Sequence, residues 1–287
     1  MMDLTAILGC EPVVDPEEEA FFIFSQDIPS QSLGFIDAQA ATLDLSVAGY
    51  DLVIHQSRGL LTSDRKTGTT GAVWAITPLL STWLSSPSNP FTKHSLLTPK
   101  SSILELGAGV SGILALTLGP KVSQYTATDQ SYVLKLLRQN IAENLNTVFP
   151  PPKKAGRGSN KKGGSSSGGS SEGRINVQAL DWETDTPSHL SPVDMVVACD
   201  CIYNESLIEP LNSMCAAICT LRQEEEGGSP TLCLIAQQLR SPDVFEAWIK
   251  NFCAKFSVWR VPDRLLDVGL REGSGFVVHI GVLKRAG

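Results

Sequence analysis

The chain has 287 residues, 42% of them hydrophobic and 18% charged, enough to bury a substantial core and suited to one globular unit or a domain with an appendage. Its formal charge of -7 is unevenly spread: Met1 to Ser57 holds no Lys or Arg, against Asp3, Glu11, Asp15, Glu17, Glu18, Glu19, Asp27, Asp37, Asp44 and Asp51. Such a face repels phosphate backbones and favours basic partners, and taken alone it reads as a solvated, partly disordered acidic tail.

In chain order, "TLDLSVAGYDLVIHQS" alternates on either side of Ala48 and Gly49 and predicts an N-terminal β-hairpin. "TGAVWAITPLLSTWLSS" reads as helical, with Pro78 either kinking that helix or starting a second one. "SILEL" is a short buried strand running into a glycine turn, and Ile113 to Leu118 reads as a helix. "VSQYTATD" is a strand, and Val133, Leu136, Leu137 and Ile141 recur at helical spacing between Ser131 and about Asn146. Pro150 to Gly173 has almost no apolar residues and many Gly and Ser, so it cannot offset its ordering entropy and reads as a flexible surface loop. Beyond it, "INVQALDW" and the wholly apolar "VDMVVAC" read as strands, Leu207 to Cys219 as a helix, and "TLCLIAQQ" as another buried strand. A helix capped by Ser241 with Pro242 at its first position follows, then "FSVWRV" and "GFVVHIGVL" with no helix between them. Strands alternating with helices imply a parallel, doubly covered α/β sheet, and the final pair implies an antiparallel hairpin at one edge. The boundaries are an acidic extension with a β-hairpin at residues 1–70 and a main domain at 71–287, interrupted by the loop at 150–173.

"ELGAGVSG" places Gly107, Gly109 and Gly112 between a strand and a helix, and Asp129 ends the next strand about twenty residues later. Glycines allow a sharp turn and close approach of backbone to ligand, and a carboxylate there can bind both hydroxyls of a ribose. A nucleoside-containing cofactor follows. Between a pyrophosphate dinucleotide and S-adenosylmethionine, Glu105 favours the latter: two residues before Gly107 it is a poor neighbour for phosphate and a good one for a sulfonium or ammonium.

"ELGAGVSG", "TATD", "ALDW" and "DCIY", preceded by "TGAVW", resemble the seven-stranded, Rossmann-like class I S-adenosylmethionine-dependent protein-lysine methyltransferases often called family 16, and among them the fungal members acting on large-subunit ribosomal proteins. The resemblance covers about Gly71 to Leu283 and departs in the glycine loop, where relatives carry a third Gly at the place of Ser111 and this chain has Gly112. It implies that Glu105, Gly107 and Gly109 line the methionine end of the cofactor and that Asp129 holds its ribose. Asp181 and Trp182 would flank adenine, Trp74 would stand beside the cofactor, and Cys199 joins the cofactor-binding set.

In open α/β sheets the ligand lies beyond the carboxyl ends of the strands where strand order reverses. "VDMVVAC" would be the fourth strand, beside the first, which puts Asp200 at that crevice. Methyl transfer to an amine needs the nitrogen lone pair in line with the methyl carbon, so positioning does most of the catalysis. Asp200 would attract and orient the ammonium and Tyr203 would offer a π face or hydroxyl, both as catalytic residues. The plainer role for Asp200 is to cap the helix beginning near Asn204 or Glu205. Enzymes acting on adenine or glutamine amides carry two prolines in this tetrapeptide; "DCIY" has none, and in the resembled family Asp-x-x-Tyr goes with protein substrates.

His55, His94, His189 and His279 are scattered, so neither a metal site nor a Ser-His-Asp system is expected. The seven cysteines include no C-x-x-C pair and read as reduced, buried thiols; Cys201 beside Asp200 is one, and Cys215 and Cys219 share a helix face in the core. No apolar run is long enough to span a bilayer and no basic segment leads into one near Met1. The combined expectation is a monomeric cytoplasmic, or also nuclear, enzyme. It would methylate a basic ribosomal protein, with no membrane partner and no direct nucleic-acid binding. A small-molecule methyltransferase, an NAD-dependent oxidoreductase and a non-catalytic cofactor-binding scaffold stand as alternatives.

Overall fold

The computed structural model describes residues 3–29, 34–57, 59, 71–150, 173–223 and 229–285. The Gly/Ser/Lys segment expected to be a flexible loop therefore lies almost wholly outside the described residues.

Seven strands form one sheet in the order β5-β4-β3-β6-β7-β9-β8. They are β3 (Ser102–Leu106), β4 (Gln124–Asp129), β5 (Ile175–Ala179), β6 (Met195–Cys199), β7 (Leu232–Gln238), β8 (Phe256–Arg260) and β9 (Phe276–Leu283). Strands β3 to β7 are parallel, whereas β9 runs antiparallel to both β7 and β8, which is the expected C-terminal hairpin. Successive residues of a strand face opposite sides. Met195, Val197 and Cys199 accordingly join one core layer, while Val196 and Ala198 join the other. Strand order turns back on itself between β3 and β6, so the glycine turn after β3 and Asp200 after β6 leave the sheet side by side.

The N-terminal hairpin pairs β1 (Thr42–Val47) with β2 (Tyr50–His55) through a two-residue turn, with Ala48 at φ 52° and Gly49 at φ 85°. Both left-handed values match the primed turns whose twist suits a hairpin. Its outer edge is closed by two amides of the helix Leu134–Val148. Asn144 bonds Val53 N and O at 2.9 Å each, and Asn140 bonds His55 N at 2.8 Å and O at 2.9 Å. Asn140 Nδ2 also donates to Val110 O at 2.7 Å, tying the hairpin to the glycine turn.

Two expectations change. The acidic N-terminal stretch is not a solvated tail: it forms α1 (Leu4–Leu8) and α2 (Pro16–Phe24), capped by Asp3 and Asp15, with Leu4, Leu8, Ala20 and Ile23 buried. Glu19 on α2 meets His279 Nε2 of β9 at 2.9 Å and Arg260 Nε of β8 at 3.4 Å, so an acid that looked like surface charge is a buried partner. Helices this short show too little periodicity to announce themselves, and their stability comes from the sheet they cover. Pro78 neither kinks a helix nor starts a second one. It is the third residue of α3 (Ile76–Ser85), within the first turn, where a missing N–H breaks no helical bond. Among the described residues no helix is long and apolar enough to cross a membrane.

Candidate active site

A cavity opens at the carboxyl ends of β3, β4 and β6. Glu105, Gly107, Gly109 and Asp129 line it from the first two strands and their turns, Asp181 and Trp182 from the segment after β5, and Cys199, Asp200 and Tyr203 from the end of β6. Trp74 closes it from the start of α3. All the site residues singled out from the sequence thus meet in one place, with Thr77, Ser111, Gln130 and Cys201 added by the fold.

The turn after β3 needs its glycines for two different reasons. Gly107 has φ 68°, and a Cβ there would fall 2.6 Å from Cys201 Sγ and 3.1 Å from the Trp182 ring. Gly112, at φ 63°, begins the helix α4 (Ile113–Leu118), and a Cβ there would fall 2.7 Å from Ile141 on the neighbouring helix. The displaced third glycine is therefore a packing requirement at the helix start, and Ser111 is left facing the cavity.

Two carboxyls sit deep in the cavity wall. Burial pushes Glu105 up to about 8, against the hydroxyl of Tyr125, which donates to it at 2.8 Å, and with the charge of Asp129 adding to the rise. Burial likewise raises Asp129 to about 6, although Gly109 N and Gln130 N donate to it at 2.8 and 2.7 Å. Each would be relieved by a cation or by hydroxyl donors, because both stabilise the charged form. Trp182 Nε1 is buried without a hydrogen-bond partner, a donor that the folded chain leaves unused. Asp181 organises its own turn, accepting from Glu183 N at 2.9 Å. Cys199 and Cys201 are closed in: Cys201 Sγ donates to Leu106 O at 3.3 Å, Cys199 Sγ lies 3.7 Å from Thr77 Oγ1, and burial pushes both thiols up.

Asp200 is the departure from simple expectation. It does not cap the following turn, which Asn204 caps through Ser206 N. Its φ is 59°, outside the range that non-glycine residues usually adopt, and its side chain is 1% exposed. The carboxylate is held at both ends by Arg240, with Nη1 to Oδ1 at 2.7 Å and Nη2 to Oδ2 at 2.6 Å, and Oδ1 also accepts from Gln238 N at 3.1 Å. Arg240 in turn lies over the Trp74 ring, 4.9 Å from its centre, and Nη2 donates to Gln238 Oε1 at 2.8 Å. Sequence reading missed Arg240. The available signal was "QQLR", polar residues closing the buried strand β7, at the same edge of the sheet as the other strand ends. Tyr203 is 36% exposed, at the mouth, where partial burial raises its hydroxyl above the usual range.

Among the described residues no group of three or more His, Cys, Asp or Glu side chains could hold a metal ion. The sheet order, the antiparallel last pair, the glycine turn after β3 and the acid after β4 together define a class I methyltransferase. The chain belongs to the lysine methyltransferase family, whose profile matches residues 55–151 and 165–243. S-adenosylmethionine is accordingly its methyl donor. It is 29% identical over 244 residues to ribosomal lysine N-methyltransferase 5 of Zygosaccharomyces rouxii, a match covering 73% of this chain and 72% of that protein. It is also 29% identical over 249 residues to a Schizosaccharomyces pombe protein named diaminohydroxyphosphoribosylamino-pyrimidine deaminase, covering 85% of this chain and 52% of that protein. The chain therefore spans about half the length of that second relative. Among solved structures, the S-adenosylmethionine-dependent methyltransferase SibL in its apo form aligns with a TM-score of 0.45 at 17% identity, over 74% of this chain and 56% of that one.

Proposed function

We propose that the enzyme methylates a lysine of a basic ribosomal protein, one of the large subunit, and that it acts in the cytoplasm. The observation that carries the site reading is the meeting of Glu105, Asp129, Trp182 and Asp200 at one cavity from four separate strand ends. The ribosomal target rests on the name of the Zygosaccharomyces rouxii relative and on the acidic surface of α2, where Glu17 and Glu18 are exposed beside Asp15.

S-adenosylmethionine, when bound, supplies a methyl group activated by a sulfonium. The buried carboxylate of Glu105 would hold its positive end, Asp129 would receive the ribose hydroxyls, and the Trp182 indole would cover the base, with Asp181 beside it. Gly107 and Gly109 would let the turn come close to it, while Trp74 and Cys199 complete the cavity wall. Asp200 accepts a hydrogen bond from the substrate nitrogen and fixes its direction, and Tyr203 at the mouth lies along the aliphatic stem of the lysine. The reaction asks little of the protein beyond a dry, directed approach.

Labelled methyl donor and salt-extracted large-subunit proteins from Zygosaccharomyces rouxii cells lacking ribosomal lysine N-methyltransferase 5 test the reading. One labelled protein, with the label on lysine, is the expected result. Label on small-molecule fractions alone, or no transfer, would overturn it.

A further inference from the structure

The carboxylate that should greet a substrate ammonium already has a cation. Arg240 grips both oxygens of Asp200, and Gln238 N takes a second position on Oδ1. A carboxylate oxygen accepts about two hydrogen bonds. Among the described residues, Oδ1 is thus filled by Arg240 and Gln238, whereas Oδ2 holds only Arg240 Nη2 and has one acceptor position left. Among the described residues the pair is electrically balanced, and its guanidinium is clamped between Asp200 and the face of Trp74, itself a wall of the cavity.

We infer that Arg240 is a positioning residue for methyl transfer, neutralising Asp200 and leaving a single acceptor on Oδ2, so that the site receives lysine as a neutral amine with one N–H directed. This rests on the reading of Asp200 given above. An unpaired carboxylate would bind the ammonium, which has no lone pair to offer, and would hold the proton on it. Balanced by Arg240, the same carboxylate still accepts an N–H but gives the ammonium little advantage over the amine. The held φ of 59° at Asp200 fits this role, since the bidentate grip keeps the carboxylate in one orientation that the backbone alone would not favour. The amine's lone pair then forms the bond to the methyl carbon as the carbon–sulfur bond breaks, and its electrons leave on the neutral thioether. The proton that the new secondary ammonium carries is released to solvent.

Among the described residues the ionisable groups around Asp200 are Cys199 and Cys201 on its own segment, Tyr203 at the mouth, Glu105 and Asp129 from β3 and β4, and Arg240 after β7; Thr77 of α3 and Trp74 just before that helix line the same cavity without charge. Because Glu105 and Asp129 titrate near the working range in the free protein, the test is run at saturating methyl donor. Wild type, Arg240→Met and Arg240→Lys are assayed from pH 6.5 to 9.5 on the large-subunit proteins described above, with S-adenosylhomocysteine affinity as the check on folding. Arg240→Met is expected to keep that affinity within about threefold and lose about tenfold or more in kcat at pH 7.5. Its pH–rate profile should move to higher pH, with KM unchanged or lower, and Arg240→Lys should recover most of the rate. A wild-type kcat and an unmoved profile in Arg240→Met would overturn the inference. Should wild type label no protein, the substrate reading fails by itself, and n-butylamine binding to the S-adenosylhomocysteine complex, followed by tryptophan fluorescence, decides the point. Wild type should then bind the amine more tightly as pH rises and Arg240→Met should not. Identical pH dependence in the two would overturn it. If Arg240→Met does not fold, the same comparison is made with Arg240→Lys, whose single-point donor should give the same shift at smaller size.

Discussion

The two halves of the cavity are built differently. On the cofactor side, Glu105, Gly107, Gly109 and Asp129 come from two adjacent strands and the turn between them, within 25 residues of sequence (105–129), and their carboxyls are buried with no cation beside them among the described residues. On the acceptor side, Asp200, Arg240 and Trp74 come from three separate strand and helix ends, and their charges already cancel. A buried acid raised by desolvation, as Glu105 is to about 8, holds a proton that a cationic ligand would displace. A compensated one, as at Asp200, suits the proposed orienting of a neutral nitrogen. The same residue type, a buried carboxylate at a strand end, thus serves opposite purposes depending on whether the fold brings an arginine to it.

The contrast can be broken at four places. The largest effect should come from Asp200→Ala, which removes the acceptor while leaving the cofactor half intact: methyl transfer falls about a hundredfold or more, with S-adenosylhomocysteine affinity within about threefold. Loss of affinity in parallel with rate would show that the halves are not separable. Asp129→Ala comes next, because it would delete the proposed charge-assisted bonds to the ribose and would free the N–H of Gly109. Calorimetry should show S-adenosylhomocysteine binding weaker by about thirtyfold, and unchanged affinity would remove the ribose role. Trp182→Ala should weaken the same binding by about tenfold through lost stacking, whereas Trp182→Phe should stay within about threefold. If Phe were as damaging as Ala, the unpartnered Nε1, not the ring face, would be the contact.

The smallest effect is one of pH. Glu105 has its folded pKa raised to about 8, so in the free protein it binds a proton that the unfolded chain has released. Stability from this group is present at low pH and declines as pH rises from about 4.5 to about 8. A cationic ligand reverses the preference, since it needs the ionised form, and its binding then expels a proton. Affinity should rise by about fivefold from pH 7 to pH 8 and level off above that, and Glu105→Gln should flatten the profile. A further decline below pH 6 belongs to Asp129, raised to about 6. A pH-independent affinity in wild type would mean that the cation does not sit against Glu105.

Much of the cofactor half was legible because its signals are local. A glycine turn between a buried strand and a helix, with an acid at the end of the next strand, is a pattern within one βαβ unit, and the unit fixes the geometry. The sheet was equally readable: apolar runs such as "VDMVVAC" are buried on both faces, and the helix-free final pair could only be antiparallel. The pairing of Asp200 with Arg240 was not, since forty residues and a whole crossover helix separate them. Nor was the burial of Glu19, which reads as one of three consecutive exposed glutamates until His279 and Arg260 are brought under it.

By itself, then, the amino-acid order determined the alternation of elements, the glycine turn and the identity of the carboxyls at the strand ends, because each follows from neighbours in the chain and from the period of a strand or helix. What only the tertiary structure decided is which of those carboxyls carries a partner. Whether a buried acid is left without a cation beside it among the described residues, as Glu105 and Asp129 are, or is already answered, as Asp200 and Glu19 are, depends on groups distant in sequence. Their meeting is set by the sheet order, which places β7 beside β6 and β9 between β7 and β8.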